Sequence, residues 1–148
     1  SGEPKVIEYN CRFGDPETQP IMMRLNSSLV DLCLAALTGK LAGIRTDWDK
    51  RVAIGVVMAA EGYPGSYRKG DRIEGLNEVP QHIKVFHAGT QLADNSDIVT
   101  SGGRVLCVTT LGSDIESARN TLYNDIDHIR WQGAFYRRDI AHRAIGRK

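Results

Sequence analysis

The chain has 148 residues, of which 41% are hydrophobic and 25% charged, and its formal net charge at pH 7 is +1. This composition is typical of a globular protein and excludes the disordered and fibrous classes. No apolar run approaches the roughly 20 residues that span a bilayer and no basic cluster stands out, so we expect a cytoplasmic protein that binds neither membrane nor nucleic acid.

The first 45 residues are predicted to form a strand and two helices. Residues 5–12 alternate between polar and apolar side chains, as a strand does. Asp15 as N-cap and Pro16 as first helical residue then predict a short helix that continues to Leu25. A clearer helix follows Ser28 and ends at Gly39. Its apolar face, expected to be part of the core, comprises Leu29, Leu32, Cys33, Ala36 and Leu37.

The remaining residues are predicted to form a β-rich unit closed by helices. The strands are expected at residues 51–60, 72–74, 83–89, 98–100 and 104–111. A capping box over residues 113–116 predicts a helix whose apolar face comprises Ile115, Ala118, Leu122, Ile126 and Ile129. A last short helix is expected at residues 138–145. The fold class is therefore α+β, with one unit over residues 1–45 and a mainly antiparallel unit over residues 46–148.

Polar side chains on the first predicted strand form a possible phosphate and metal site. Glu8, Asn10 and Arg12 would project from one face at spacings of about 6.6 Å. A carboxylate beside an amide carbonyl offers the hard oxygen ligands that Mg²⁺ prefers, and an arginine can hold phosphate oxygens. From spacing alone, the polar face of an edge strand is the more frequent explanation.

Longer motifs change that balance. Residues 7–19 are I-E-Y-N-C-R-F-G-D-P-E-T-Q, and further motifs are G-V-V-M-A-A-E-G-Y-P-G (55–65), K-V-F-H-A-G-T (84–90) and G-G-R-V-L-C-V-T (102–109). E-x-N-x-R occurs in many ATP-grasp ligases, whereas F-G-D-P-E-T-Q is much more specific. Together the motifs closely resemble the bacterial phosphoribosylamine–glycine ligases, also called glycinamide ribonucleotide synthetases, over essentially the whole chain.

The resemblance implies an ATP-dependent ligation of glycine to 5-phosphoribosylamine in purine biosynthesis. Residues 1–45 would end an ATP-grasp domain, and the β-rich unit would be a barrel-sandwich hybrid. Glu8 and Asn10 would be ligands of Mg²⁺ or Mn²⁺ beside ATP. Arg12 would face the transferred phosphate, and Gly14 and Asp15 would lie at the substrate, where Asp15 would meet the ammonium group of glycine. A simple N-cap role explains Asp15 equally well.

The resemblance also implies that something is missing. The family's substrate domain, ATP-grasp lysines and glycine-rich phosphate loop would precede Ser1, so we expect a fragment that is inactive alone and needs that N-terminal portion as a partner. Two alternatives are another ATP-grasp ligase, which should lack F-G-D-P-E-T-Q, and a non-catalytic β-rich binding module. For Gly102-Gly103-Arg104, a turn before a strand is favoured over a phosphate-binding loop.

Overall fold

The computed structural model describes residues 2–146, which form an α+β fold with antiparallel sheets and three α-helices. The helices are α1 (Thr18–Arg24), α2 (Leu29–Leu37) and α3 (Ile115–Asp125). The strands are β1 (Val52–Ala59), β2 (Ile83–His87), β3 (Thr90–Leu92), β4 (Ile98–Thr100), β5 (Arg104–Gly112) and β6 (Phe135–Tyr136). Two 3₁₀ turns cover Ile126–His128 and His142–Ala144.

The main sheet is four-stranded, with the order β2-β5-β1-β6, and every neighbouring pair is antiparallel. Strand β5 pairs along its length with β1, so that Val108 lies opposite Val56. Strands β3 and β4 form a separate two-stranded sheet. Both central strands have a partner on each side, but β6 pairs with β1 at only two positions, so β5 has the most extensive hydrogen bonding in the main sheet.

The core lies between one face of this sheet and α3. Val56 and Val108 are at most 1% exposed, and they pack in the same cluster as Leu122 and Ile126, which are fully buried. The predicted apolar face of α3 is therefore confirmed. A Cβ added at Gly112 would lie 2.6 Å from the Ala118 nitrogen, so the helix approaches the strand where there is no side chain.

Helix α1 packs against β1 and β5 through residues that point away from the α3 core. A Cβ added at Gly55 would lie 2.9 Å from Pro20 Cγ and 3.1 Å from Cys107 Sγ. The absence of a side chain at Gly55 thus allows the short α1 helix to approach the sheet closely.

Several predicted elements are confirmed. The side chain of Ser28 accepts a hydrogen bond from the Asp31 nitrogen and begins α2. The helix ends with Gly39 at φ 66°, where the Gly39 and Lys40 nitrogens donate to the Ala36 and Ala35 carbonyls. This is the paired hydrogen-bond pattern of a glycine-terminated helix.

Other predictions are wrong. Residues 5–12 form no strand, since a strand requires hydrogen bonding to a neighbour and no described strand pairs with them. Residues 72–74 make only isolated bridges, and residues 138–145 contain a 3₁₀ turn instead of a helix. The N-cap of α3 is Asp114, which pairs with Ser117 in the capping box one residue later than predicted.

The predicted core role of α2 is also wrong for the described structure. None of its residues is buried, and Val30, Leu34 and Leu37 are 67%, 55% and 84% exposed. Within residues 2–146, no helix has the length and apolar character required to cross a membrane.

Candidate functional site

The predicted metal ligands lie on an exposed segment before α1. Residues 2–10 have no regular secondary structure, and both Glu8 and Asn10 are exposed. Ile7 and Tyr9, which alternate with them along the chain, are 96% and 82% exposed. The segment therefore presents carboxylate and amide oxygens to solvent, and Mg²⁺ and Mn²⁺ prefer oxygen ligands of this kind.

Carboxylates, histidines and cysteines do not assemble into a larger metal site elsewhere in the described part of the chain. Across residues 2–146, no group of three or more of these side chains is arranged to hold a metal ion. A site made by Glu8 and Asn10 has one carboxylate and one amide, so it is of a different kind and stays a prediction.

Arg12 and Gly14 lie in the turn that leads into α1. The Arg12 side chain donates a local hydrogen bond of 2.8 Å to the Phe13 carbonyl and remains exposed. The Gly14 carbonyl accepts from both the backbone nitrogen and the hydroxyl of Thr18, at 3.0 and 2.5 Å. The turn is thus fastened to the first turn of α1 through Gly14.

Asp15 does not cap α1. The N-cap position is Glu17, which makes no side-chain capping bond. The Asp15 carboxylate instead lies 2.9 Å from Arg104 Nη2, and the Asp15 carbonyl accepts a 3.3 Å hydrogen bond from Arg104 Nη1. The helix-cap explanation of Asp15 is therefore wrong, and the side chain is linked to the start of β5.

A cavity of about 300 Å³ opens beside this turn. Pro16 and Arg104 lie on its wall next to Asp15, and its other lining residues come from β1, β6 and the segment after β6. They include Val57, Phe135, Tyr136 and Ile140, and Tyr63 joins them from the loop after β1. The wall is largely apolar, and its charged lining residues are Arg104 and Arg137. The cavity lies between the predicted substrate turn and the body of the sheet.

Below the turn, Cys107 is buried beside Gly55 and Pro20. Burial raises the pKa of its thiol, a weak hydrogen bond with Thr109 opposes this rise, and the nearby Asp15 carboxylate adds to it. A raised pKa keeps the thiol protonated at neutral pH, so Cys107 is a packing residue and not a nucleophile.

Arg104 is the site residue that sequence reasoning missed. The sequence favours a turn before a strand at Gly102-Gly103-Arg104, and the two glycines do precede β5. Its contact with Asp15 depends on the folded structure, because the two residues are separated by 89 positions in the chain. No local pattern in one sequence predicts such a pair.

Comparison with known proteins identifies the family. Residues 53–143 match the family described as phosphoribosylglycinamide synthetase, C domain. This chain belongs to the phosphoribosylglycinamide synthetase family. The phosphoribosylamine–glycine ligases of Salmonella typhimurium, Vibrio vulnificus and Yersinia pestis are 59%, 57% and 56% identical to it, each over 99% of this chain.

A solved structure of a ligase from this family is also similar to the chain. The crystal structure of phosphoribosylamine–glycine ligase from Thermotoga maritima matches with a TM-score of 0.77 and 34% identity, covering 93% of this chain. The chain spans 34% of the length of that protein and 34% of each of the three ligases. The sequence resemblance to this family is therefore confirmed over nearly the whole chain.

Proposed function

We propose that this chain is a portion of a cytoplasmic phosphoribosylamine–glycine ligase that joins glycine to 5-phosphoribosylamine with ATP in purine biosynthesis. The observation that supports this most is the 59% identity to the Salmonella ligase over 99% of the chain. In the reaction, the glycine carboxylate attacks the γ-phosphorus of ATP and ADP leaves. The amine of phosphoribosylamine then attacks the acyl phosphate, which forms the amide and releases phosphate.

The residues of the turn have distinct roles in this proposal. Glu8 and Asn10 would hold Mg²⁺ or Mn²⁺, which when bound neutralises charge on the ATP phosphates. Arg12 would bind the transferred phosphate with its guanidinium, whose donors match phosphate oxygens. Gly14 allows close backbone approach to the substrates, and the Asp15 carboxylate would accept from the glycine ammonium group.

The same proposal divides the chain near residue 45. Residues 1–45 would complete an ATP-grasp domain, and residues 46–148 would be a barrel-sandwich hybrid. The exposed apolar side chains of α2 support this division, because a solvent-exposed apolar helix face marks a surface for contact with another part of a protein. That contact would be made by the N-terminal portion that the related ligases possess, and the chain alone would lack ligase activity.

A chimeric enzyme tests the function. In it, these residues replace the matching 148 residues of the Salmonella typhimurium ligase. We expect ATP hydrolysis that depends on glycine and phosphoribosylamine, measured as phosphate release, whereas the 148-residue chain alone gives none. Glu8→Gln and Asn10→Ala should each lower turnover of the chimera by up to about 100-fold, because Glu8→Gln removes the charge of one metal ligand and Asn10→Ala removes the other ligand.

Glu3→Gln on the same exposed segment is the matched control, and it should leave turnover unchanged. A folded chimera without substrate-dependent hydrolysis would contradict the proposed activity. Equal effects of Glu3→Gln and Glu8→Gln would contradict the metal site, and turnover by the 148-residue chain would contradict its need for a further portion.

A further inference from the structure

The backbone that carries the Arg104 side chain is rigid. It begins β5, and its carbonyl accepts a 2.9 Å hydrogen bond from the Gly89 nitrogen. The preceding Gly103 has no room for a side chain, since a Cβ there would lie 2.3 Å from a ring carbon of Tyr63. Gly102 is similarly close to Gly89, at 2.9 Å between an added Cβ and the Gly89 Cα. The base of the Arg104 side chain therefore has little freedom to move.

The Arg104 guanidinium makes two contacts with one residue. Its Nη2 pairs with the Asp15 carboxylate at 2.9 Å, and its Nη1 donates to the Asp15 carbonyl at 3.3 Å. A planar guanidinium that binds both a side chain and the backbone of the same residue sets the orientation of that residue as well as its position.

The turn itself joins two very different segments. Before it lie residues 2–11, which are exposed and without regular structure, and after it lies α1, which packs on the sheet where Pro20 meets Gly55. The turn is linked to α1 by the hydrogen bonds from Thr18 to the Gly14 carbonyl. The contacts from Arg104 give the turn a second attachment, which comes directly from β5.

This ion pair is too exposed to contribute much to folding. The Arg104 and Asp15 side chains are 40% and 52% exposed, and pairs of that exposure add little to the free energy of unfolding. The effect of the pair is therefore on the local geometry of the turn.

We infer that Arg104 is a positioning residue, which holds Gly14 and Asp15 in place for the glycine substrate. That glycine is the substrate rests on the proposed ligase function. The positioning of the turn by Arg104 rests on the geometry alone. Arg104 does not contact the reacting atoms in this scheme and acts through Asp15.

The positioning is tested first in the 148-residue chain by amide hydrogen exchange measured with NMR. In Arg104→Gln we expect the Thr18 amide to exchange about threefold to fivefold faster, because loss of the Asp15 contacts loosens the turn to which that amide is bonded. The thermal midpoint should fall by less than about 4 °C, since the pair is exposed. Arg72→Gln, which breaks the 3.3 Å ion pair with Asp97, is the control and should leave Thr18 unchanged.

The link to glycine is tested in the chimeric enzyme. Arg104→Gln should raise the KM for glycine by about tenfold, while the KM for ATP changes by less than about twofold. Arg104→Lys should recover part of this effect, because an ammonium group retains the charge without the planar pair of donors. In combination with Asp15→Asn, the Arg104→Gln change should add no further increase, since both act at the same contact.

An unchanged Thr18 exchange rate in Arg104→Gln would overturn the positioning role whatever the enzyme does. In an active chimera, an unchanged glycine KM, or effects of Arg104→Gln and Asp15→Asn that simply add, would overturn the link to glycine. An inactive parental chimera with faster Thr18 exchange in Arg104→Gln would refute the proposed ligase function while leaving the positioning of the turn intact.

Discussion

Ala141 occupies a backbone conformation that suits glycine better than alanine. Its φ of 65° lies in the left-handed region, where the Cβ of an L-residue crowds the following carbonyl. Apart from Ser96, the non-glycine residues of the described chain avoid this region. Ala141 precedes the 3₁₀ turn at His142–Ala144, so the strained backbone is what directs the chain into that turn.

Ala141→Gly should therefore stabilise the protein. We expect the free energy of unfolding to rise by about 0.5 kcal/mol, because relief of the strained φ outweighs the added flexibility of the unfolded chain and the loss of one methyl group. Urea unfolding followed by fluorescence measures the change. Ala144→Gly, at a position without positive φ, is the control and should not stabilise; a stabilisation of the same size there would show that backbone strain is not the cause.

Helix α1 depends on one glycine in β1. The Cγ atom of Pro20 lies 2.9 Å from the position that a Cβ at Gly55 would take, which is closer than real Cβ contacts allow, so a larger residue would push the helix away from the strand. The helix is only seven residues long and has no fully buried side chain. Its position therefore depends on contacts such as this one more than on its intrinsic helical stability.

Gly55→Ala should lower the free energy of unfolding by about 1–3 kcal/mol, the usual effect of overpacking. Pro20→Ala removes the ring carbons that the new Cβ would meet, so the double variant should lose less stability than the sum of the two single changes. Urea titration of the four proteins of this cycle gives the coupling energy. Strict additivity would show that the helix does not press on Gly55.

Elements with their own local signals were predictable, whereas those that depend on distant partners were not. The apolar face of α3 and the Ser28 and Gly39 ends of α2 follow from helical spacing and capping chemistry, which act within a few residues. Strand β6 has only two residues and forms by pairing with β1, so it is too short for an alternating sequence pattern to predict it. Residues 5–12 have the alternation of a strand but no described partner, so the pattern alone did not produce one.

The candidate site shows the same division. The motif of residues 7–19 indicated which side chains could carry ligase chemistry, and the family is confirmed. The contact of Asp15 with Arg104 could not be predicted, because it joins residues 89 positions apart through the packing of α1 on the sheet. Asp15 also satisfied the local rule for an N-cap, and the ion pair prevailed over that local preference.

For the whole molecule, the uneven burial of apolar side chains is the most informative feature. Around α3 the apolar residues are almost completely buried, whereas Val30, Leu34 and Leu37 of α2 are exposed. Leu41, Ile44 and Trp48, in the segment after α2, are also at least 40% exposed. Exposed apolar side chains concentrated in one stretch of the chain favour contact with the N-terminal portion proposed above.

The three cysteines provide a direct probe of that contact. Cys11 and Cys33 are exposed and Cys107 is buried. In the 148-residue chain, a maleimide should label Cys11 and Cys33 rapidly and Cys107 slowly, because burial both blocks Cys107 and raises the pKa of its thiol. Residue-resolved mass spectrometry follows each thiol, and the chain in concentrated denaturant should label at all three.

In the chimeric enzyme, labelling of Cys33 should slow by at least about tenfold, because α2 would then be covered by the N-terminal portion. Cys107 is the internal control, since its buried environment in the sheet does not depend on that portion and its slow labelling should persist. An unchanged Cys33 rate in a folded, active chimera would mean that the α2 surface stays open to solvent. Its apolar residues would then require a different partner from the one proposed.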